Sequence, residues 1–404
     1  MAFSKADLSI LRPLAEQAAA LAACDKNRAV LLRWRDTNAL RKPDRAPVWC
    51  RPVGAWDELL PESSLRCADP FLRRIEYQLR QLAIKADIGD DTPFLPYFPV
   101  PVRFDVQPLN IWGVKVSHSE SSVKGGAWAY EPPLRTEEDF DKLVLPQFAV
   151  NHTLTQELLE RTQEALGDAL PVRRVCNAPL NGTLGTQAAD LRGLEQMMLD
   201  MALSPELMHR LMAYLRDATL RSMDAAERSG MLTPNTDEPM TCSDAIGEDN
   251  EPVTFQNLWG MVNSQEFDQV SPAMWEEFCL EYQKPILARY GLTGYGCCEN
   301  LTRKIPGVMS IPNLRIFVCS AWSNLDRIME AVGTEKVIMW RQKASDVVFT
   351  RDTADLRAPL EEGLKKMQGF HKQVVLRELQ TLCGNMDRLH VWTRLAIEAA
   401  EKYS

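Results

Sequence analysis

The 404-residue chain lacks most of the short motifs that announce a cofactor or a nucleophile. It has no Cys-x-x-Cys pair, no Walker loop, no Gly-x-Gly-x-x-Gly, no His-Glu-x-x-His and no Gly-x-Ser-x-Gly elbow. Those absences argue against zinc ribbons, nucleotide triphosphate binding, dinucleotide binding and serine hydrolysis. Histidine is scarce: His118, His152, His209, His371 and His390 are scattered along the chain. No stretch approaches the roughly 18 uninterrupted apolar residues of a transmembrane helix. The opening Met-Ala-Phe-Ser-Lys-Ala-Asp-Leu lacks the charged-then-apolar pattern of a signal peptide. Positive charge is in deficit. A formal net charge of −9 argues against nucleic acid or an anionic membrane surface as the main partner. A cytoplasmic location is therefore expected. Ten cysteines without an export signal read as reduced thiols and not as a disulfide framework.

What is present is enough apolar residue, 45% of the chain, for a full core. Residues 4–42 read as helical, with Ser4 as a cap and Leu8, Leu11 and Leu14 at turn spacing. Asp69-Pro70 starts another helix, with Asp69 capping and Pro70 in the first turn. Ser117–Gly126 reads as a polar loop or lid, and Gly247–Glu251 as a solvated acidic loop. The second half alternates strands and helices on a short period, the pattern of parallel βαβ units. Eight strands can be counted, near 47–51, 105–116, 172–178, 240–246, 292–297, 314–321, 336–340 and 373–379. The expectation is α/β: a TIM-type (β/α)8 barrel over 46–404 with an N-terminal helical extension over 1–45. A doubly wound open sheet is the alternative.

One stretch stands out, Gly-Leu-Thr-Gly-Tyr-Gly-Cys-Cys-Glu at 291–299. It follows a helix-like run, Ser271–Tyr290, that Pro285 kinks or restarts. The strand ends in a small-residue turn that presents Cys297, Cys298 and Glu299. In α/β folds ligands bind beyond the carboxyl ends of strands. Each cysteine alone reads equally well as a small buried hydrophobe. Asn177, Asp244 and Trp322 fall near other predicted strand ends and are expected on the same open face.

Four segments together resemble the uroporphyrinogen-decarboxylase-like superfamily. They are Trp259-Gly-Met-Val-Asn-Ser-Gln-Glu266, Ser271-Pro-Ala-Met-Trp-Glu-Glu-Phe278, Tyr295-Gly-Cys-Cys-Glu-Asn-Leu301 and Ile311-Pro-Asn-Leu-Arg315. That resemblance implies a (β/α)8 barrel and one of two chemistries. One is cofactor-free decarboxylation; the other is methyl transfer to or from a corrinoid carried on a partner protein. The decarboxylase signature begins Pro-Val-Trp, which Pro47-Val-Trp-Cys-Arg51 keeps, but its second arginine and Gln-Ala pair are missing. The nearer resemblance is to the corrinoid methyltransferases of O-demethylase systems. Their zinc motif is two glutamates and a histidine. Glu266 and Glu281 match the glutamates in spacing, and Thr302 stands in place of the histidine. Cys297 matches a cysteine of the thiol-specific branch.

The resemblance implies a methyltransferase moving a methyl group from a small methylated compound, such as an aryl methyl ether, to a partner's corrinoid. Glu266, Glu281, Cys297 and Cys298 are the candidate zinc ligands. Glu266, Glu281 and Glu299 are the candidate acids or ligands that would assist the leaving group, and Asp244 is a further candidate catalytic residue that would orient the substrate. Asn177, Tyr295, Trp322 and Arg341 are the candidate substrate contacts. Ordinary core packing accounts equally well for each aromatic. Two alternatives stay open: a carboxy-lyase holding its substrate on Arg51, Arg103 and Arg341, and a silent ligand-binding relative.

Overall fold

The computed structural model describes residues 3–119, 129–248 and 252–404. Most of the lid segment expected at 117–126, and the last three residues of the acidic loop at 247–251, lie outside the described residues. Eight parallel strands organise the fold. They are β1 (Val48–Pro52), β2 (Phe98–Pro101), β3 (Val172–Val175), β4 (Trp259–Val262), β5 (Leu292–Tyr295), β6 (Leu314–Cys319), β7 (Val337–Gln342) and β8 (His371–Leu379). Six of them form one sheet in the order β1-β8-β7-β6-β5-β4, and β2 and β3 form a separate pair. All pairings in both sheets are parallel. The result is a parallel half-barrel with a detached two-stranded segment.

The central strands are nearly continuous apolar runs because both of their faces are buried. One face carries Trp49, Trp259, Ile316, Val318, Met339 and Val375 into a compact cluster. The other turns Val48, Phe317, Ile338, Val374 and Leu376 toward the surrounding helices. Helix α1 (Lys5–Ala23) starts at Ser4, whose hydroxyl accepts the Asp7 N–H at 3.0 Å. Helix α2 (Asp25–Asn38) lays Val30 and Trp34 against the first cluster. Helix α3 (Pro70–Ile88) begins on Asp69, which accepts from Phe71 N at 2.7 Å, and ends at Gly89 with φ +78°.

Two expected strands are replaced. Residues 240–246 do not form one: Met240 sits at φ +72°, which ends any extended run. The segment instead closes the amino-terminal end of the sheet. Asn38 Nδ2 donates to Met240 O and Cys242 O, at 3.0 and 2.7 Å, and Gln373 Nε2 donates to Met240 O at 2.9 Å. The parallel strand in its place is β4. The second replacement concerns 105–116, where only Phe104–Gln107 is extended, antiparallel to Gln147–Val150. The parallel strand of that region is β2, Phe-Pro-Val-Pro. Phe98 N and Val102 N donate toward the β3 side, at 2.7 and 2.9 Å. Pro99 and Pro101 fall at the alternate positions, so the opposite edge of β2 has no N–H to offer β1.

Where the ladder is missing, side chains satisfy the backbone. Val48 N and Cys50 N donate to the Asp91 and Asp90 carboxylates at 2.7 and 2.8 Å. At the free edge of β4, Asn235 accepts from Trp259 N and donates to Trp259 O, at 2.8 and 2.9 Å. The run before β5 is helical in three pieces: Pro272–Trp275, a π-helical turn Glu276–Leu280, and Glu281–Leu287 with Pro285 inside. The wide turn lies just ahead of the residues crowded by the proline ring, a usual place for a helix to loosen.

Candidate functional site

β5 runs into Gly296, at φ +115°. A Cβ there would meet Leu301 Cδ1 at 2.8 Å and Val318 Cβ at 2.9 Å, so only glycine makes this turn. The turn delivers Cys297, Cys298 and Glu299 at the carboxyl end of the sheet. Glu299, only 2% exposed, holds it there. Its carboxylate accepts from Cys297 N and from Ser264 N, both at 2.8 Å, tying the end of β5 to the end of β4. Burial raises its pKa, and the backbone donors oppose that rise.

The two thiols lie side by side, Sγ to Sγ 3.5 Å. Arg341 of β7 is 3% exposed, and its Nη1 donates to Cys297 Sγ at 3.2 Å and to Glu378 Oε1 at 3.0 Å. The Cys297 pKa falls to about 5, because Cys298 donates to its sulfur and Arg341 and Arg377 stabilise the thiolate. Cys298 moves the opposite way: it keeps the shared proton, with the Glu378 carboxylate adding to the rise. One thiolate and one thiol thus face the same space at neutral pH.

Arg377 and Glu378 are two residues that strand reasoning does not deliver. Side chains alternate along a strand, so consecutive residues should face opposite ways. β8 has a bulge here: Cys50 pairs with Leu376, but Pro52 pairs with Leu379. Two residues, Arg377 and Glu378, therefore oppose the single Arg51. Glu378 takes φ +62°, an unusual conformation for a glutamate. The bulge puts Glu378 on the thiols while Arg377 stays within the field of Arg51, Arg341 and Cys297. The only hint in sequence is a pair of charges ending the apolar run Val374–Leu376.

Of the other predicted residues, Asn177 and Trp322 follow the carboxyl ends of β3 and β6, and Asp244 does not. Asp244 pairs with Arg41 at 2.6 Å, and Arg41 in turn reaches the start of β8 at His371. Asp244 is thus at the amino-terminal end of the sheet, opposite the thiols. Its expected place on the open face fails with the strand that was to carry it there. Tyr295 is fully buried; its hydroxyl donates to Gln283 Oε1 at 2.8 Å and accepts from Trp275 Nε1 at 3.2 Å. Trp322, past the end of β6, is 60% exposed, with Lys343 Nζ 5.2 Å from its ring. Asn177 is exposed beyond β3 and accepts from Ala178 N at 2.8 Å.

The expected metal set is rearranged. Among the described residues, the one group of three ligating side chains is Cys297, Cys298 and Glu378, with ligand atoms within 4.8 Å of one another. Glu281 is exposed and pairs with Lys284 at 2.6 Å, because the helix turns it outward. Glu266 faces Leu184–Arg192 instead: Thr186 Oγ1 donates to its Oε1 at 2.7 Å, and its Oε2 is buried without a partner. Thr302, in the family's histidine position, accepts from Asn324 N at 2.8 Å. The new triad suits a thiophilic cation. Zinc–sulfur bonds of about 2.3 Å in a tetrahedron set two sulfurs about 3.8 Å apart, close to the observed 3.5 Å. Two thiolates and a carboxylate would carry three negative charges, against a divalent cation and Arg341.

The thiol geometry predicts a reactivity profile. A lowered pKa means that Cys297 is thiolate above about pH 5 and becomes thiol below it. An ordinary cysteine ionises only near pH 8.5. Iodoacetamide should therefore label Cys297 at a rate that is nearly flat from about pH 6.5 to 8, as read by peptide mass spectrometry. Arg341→Gln should move the rise to higher pH. A rate that climbs tenfold per pH unit through this range would contradict the thiolate assignment.

No protein-family model matches the chain. A curated relative, uroporphyrinogen decarboxylase of Myxococcus xanthus (strain DK1622), is 26% identical over 168 residues, which is 41% of this chain. The match spans 40% of that relative's own length. Among solved structures, a methyltransferase from Methanosarcina mazei aligns with a TM-score of 0.52 over 91% of this chain and 98% of its own. Identity in that alignment is 11%, so the likeness is one of fold. The curated relative bears the name of the superfamily whose resemblance was read from the sequence, and the solved structure shares the TIM-like parallel α/β fold which that resemblance implies.

Proposed function

We propose that this chain is a methyltransferase that takes a methyl group from a small methylated compound and passes it to a corrinoid on a partner protein. The observation that carries the reading is the Cys297 thiolate, set beside Cys298 and Glu378 and held by Arg341 at the carboxyl end of the sheet. The fold of the Methanosarcina methyltransferase supports it, as does the enzymatic character of the decarboxylase relative. In this reading β2 and β3 complete the same barrel wall as the six-stranded sheet. In this reading the corrinoid arrives on a separate protein.

The difficulty of such a transfer is the leaving atom. An ether oxygen or thioether sulfur departs poorly unless it is protonated or bound to a Lewis acid. A zinc ion held by Cys297, Cys298 and Glu378 would supply that Lewis acidity to the donor's heteroatom. Arg341 keeps Cys297 ionised and fixes its direction. Glu299 holds the thiol turn against β4, and Gly296 lets it form. Cys298 retains a proton beside the thiolate until its sulfur is needed as a ligand.

The test combines the purified chain, free cob(I)alamin and a panel of methoxyarenes, methylamines and methyl thioethers. Methylcobalamin formation, read by its absorbance, should require both the chain and one donor class. A second reading is favoured by one arrangement, the positive field of Arg51, Arg341 and Arg377, which suits a carboxylated substrate. A carboxy-lyase would release CO₂ from such a substrate with no corrinoid present. CO₂ release without methylcobalamin would replace the first reading with the second.

A further inference from the structure

The missing ladder between β1 and β2 leaves a cavity of about 340 Å³ in the wall. Trp49, Arg51 and Trp56 line it from β1 and the turn beyond; Leu95, Tyr97 and Phe98 line it from the approach to β2. Helix α3 contributes Leu82 and Lys85, and Asp237 and Glu238 also line the cavity. Most of this surface is apolar or aromatic.

Its charged groups differ in what they already bind. Lys85 is committed to Asp90, Cys50 O and Cys50 Sγ. Asp237 accepts from the Tyr97 hydroxyl at 3.3 Å. The Arg51 guanidinium has no hydrogen bond or ion pair among the described residues. It lines the cavity and also lies within the field of Arg377, which in turn feels Arg341. Glu238 is exposed yet closely surrounded by protein, as expected of a group on a cavity wall, and that surrounding raises its pKa while Arg51 opposes the rise. Arg51 is therefore the cationic side chain of the lining with donors left for a ligand, on a wall that also carries the Asp237 and Glu238 carboxylates.

We propose that this cavity binds a ring-bearing carboxylate, with the ring between Trp56, Tyr97 and Leu82 and the carboxylate on Arg51. Ligand pockets usually run from about 300 to 1,000 Å³, so at about 340 Å³ this one is sized for a single substituted ring. Aromatic walls favour a flat ring by offset or edge-on contact. A guanidinium with free donors favours a carboxylate over a neutral hydroxyl. The assignment rests on the cavity's own lining, which shares no residue with the Cys297, Cys298 and Glu378 cluster, and it stands apart from the methyl-transfer reading.

Calorimetry on the intact chain, with no corrinoid and no methyl donor, tests binding alone. The probes are benzoate, benzyl alcohol and benzyltrimethylammonium. Benzoate should saturate one site and bind about tenfold more tightly than benzyl alcohol, with the ammonium weakest. Arg51→Gln should bring benzoate down to the level of the alcohol. Leu82→Trp and Leu95→Trp, each checked for folding by circular dichroism, should weaken benzoate about tenfold by filling the space. Non-saturating benzoate, a preference for the ammonium, indifference to Arg51→Gln, or indifference of both filled variants would each overturn the assignment. None of those results bears on methyl transfer, and a failed methyl-transfer assay leaves this test standing.

Discussion

Replacing Cys297 by serine should abolish turnover while leaving the fold intact. Serine matches the shape of cysteine but does not ionise at neutral pH, so Arg341 loses its thiolate partner. Cys297 is only partly buried, and its backbone N–H, which Glu299 holds at 2.8 Å, is unchanged by the substitution. Changes around metal ligands commonly cost 10–100-fold, and loss of a ligand itself should cost about 100-fold or more. If the site carries zinc, metal content measured by mass spectrometry should fall in Cys297→Ser and in Glu378→Gln alike. Glu281→Gln should retain metal and activity, since that side chain pairs with Lys284 away from the thiols. A Cys297→Ser enzyme with full turnover would remove the thiol site from the mechanism.

Asp91→Ala should produce the largest loss of stability. The carboxylate is buried and accepts from Arg33 Nη1 at 2.6 Å, Arg45 Nη1 at 2.6 Å and Val48 N at 2.7 Å. Arg33 keeps a second partner in Asp44, with contacts of 2.8 and 2.6 Å. Among the described residues Arg45 keeps Ala46 O at 3.0 Å and a long 3.8 Å contact to Glu401. Removing one partner of a buried pair typically costs about 3–5 kcal/mol, because the other charge stays buried. That is a large share of the about 5–15 kcal/mol that stabilises a typical domain. Urea unfolding should show it as a lower midpoint with little change in slope. An added Arg45→Met should recover part of the loss by removing the stranded charge. A single variant within about 1 kcal/mol of the parent would mean that water enters and solvates the site.

Local patterns carried much of the fold. The caps at Ser4 and Asp69, the apolar runs of β5 to β8 and the helices between them depend on neighbours a few residues apart, and they appear where the sequence places them. The two strands that misled do so for identifiable reasons. At Met240 the backbone turns to positive φ, and its carbonyl meets side chains from α2 and β8 instead of a strand. At Phe98–Pro101, two prolines argue against a strand, yet they sit on the edge that pairs with nothing. Asp244 followed the first error to the wrong end of the sheet, and the β1–β2 gap follows from the prolines.

By itself the sequence determined that two adjacent thiols end a short buried strand beyond a glycine, because strand, turn and thiols are contiguous. It also determined the parallel α/β class, which a repeating strand–helix period and doubly buried strands require. Only the tertiary structure decided what meets those thiols. Arg341 and Glu378 arrive from β7 and β8, and Glu378 reaches the site only through a bulge whose register is set by pairing with β1. Glu281, chosen by spacing, is turned to solvent by a helix whose phase a π-turn alters just before it. Residue spacing along one chain constrains partners within an element. Contacts between elements depend on register and helix phase, and a single inserted residue in either is enough to change which side chains meet.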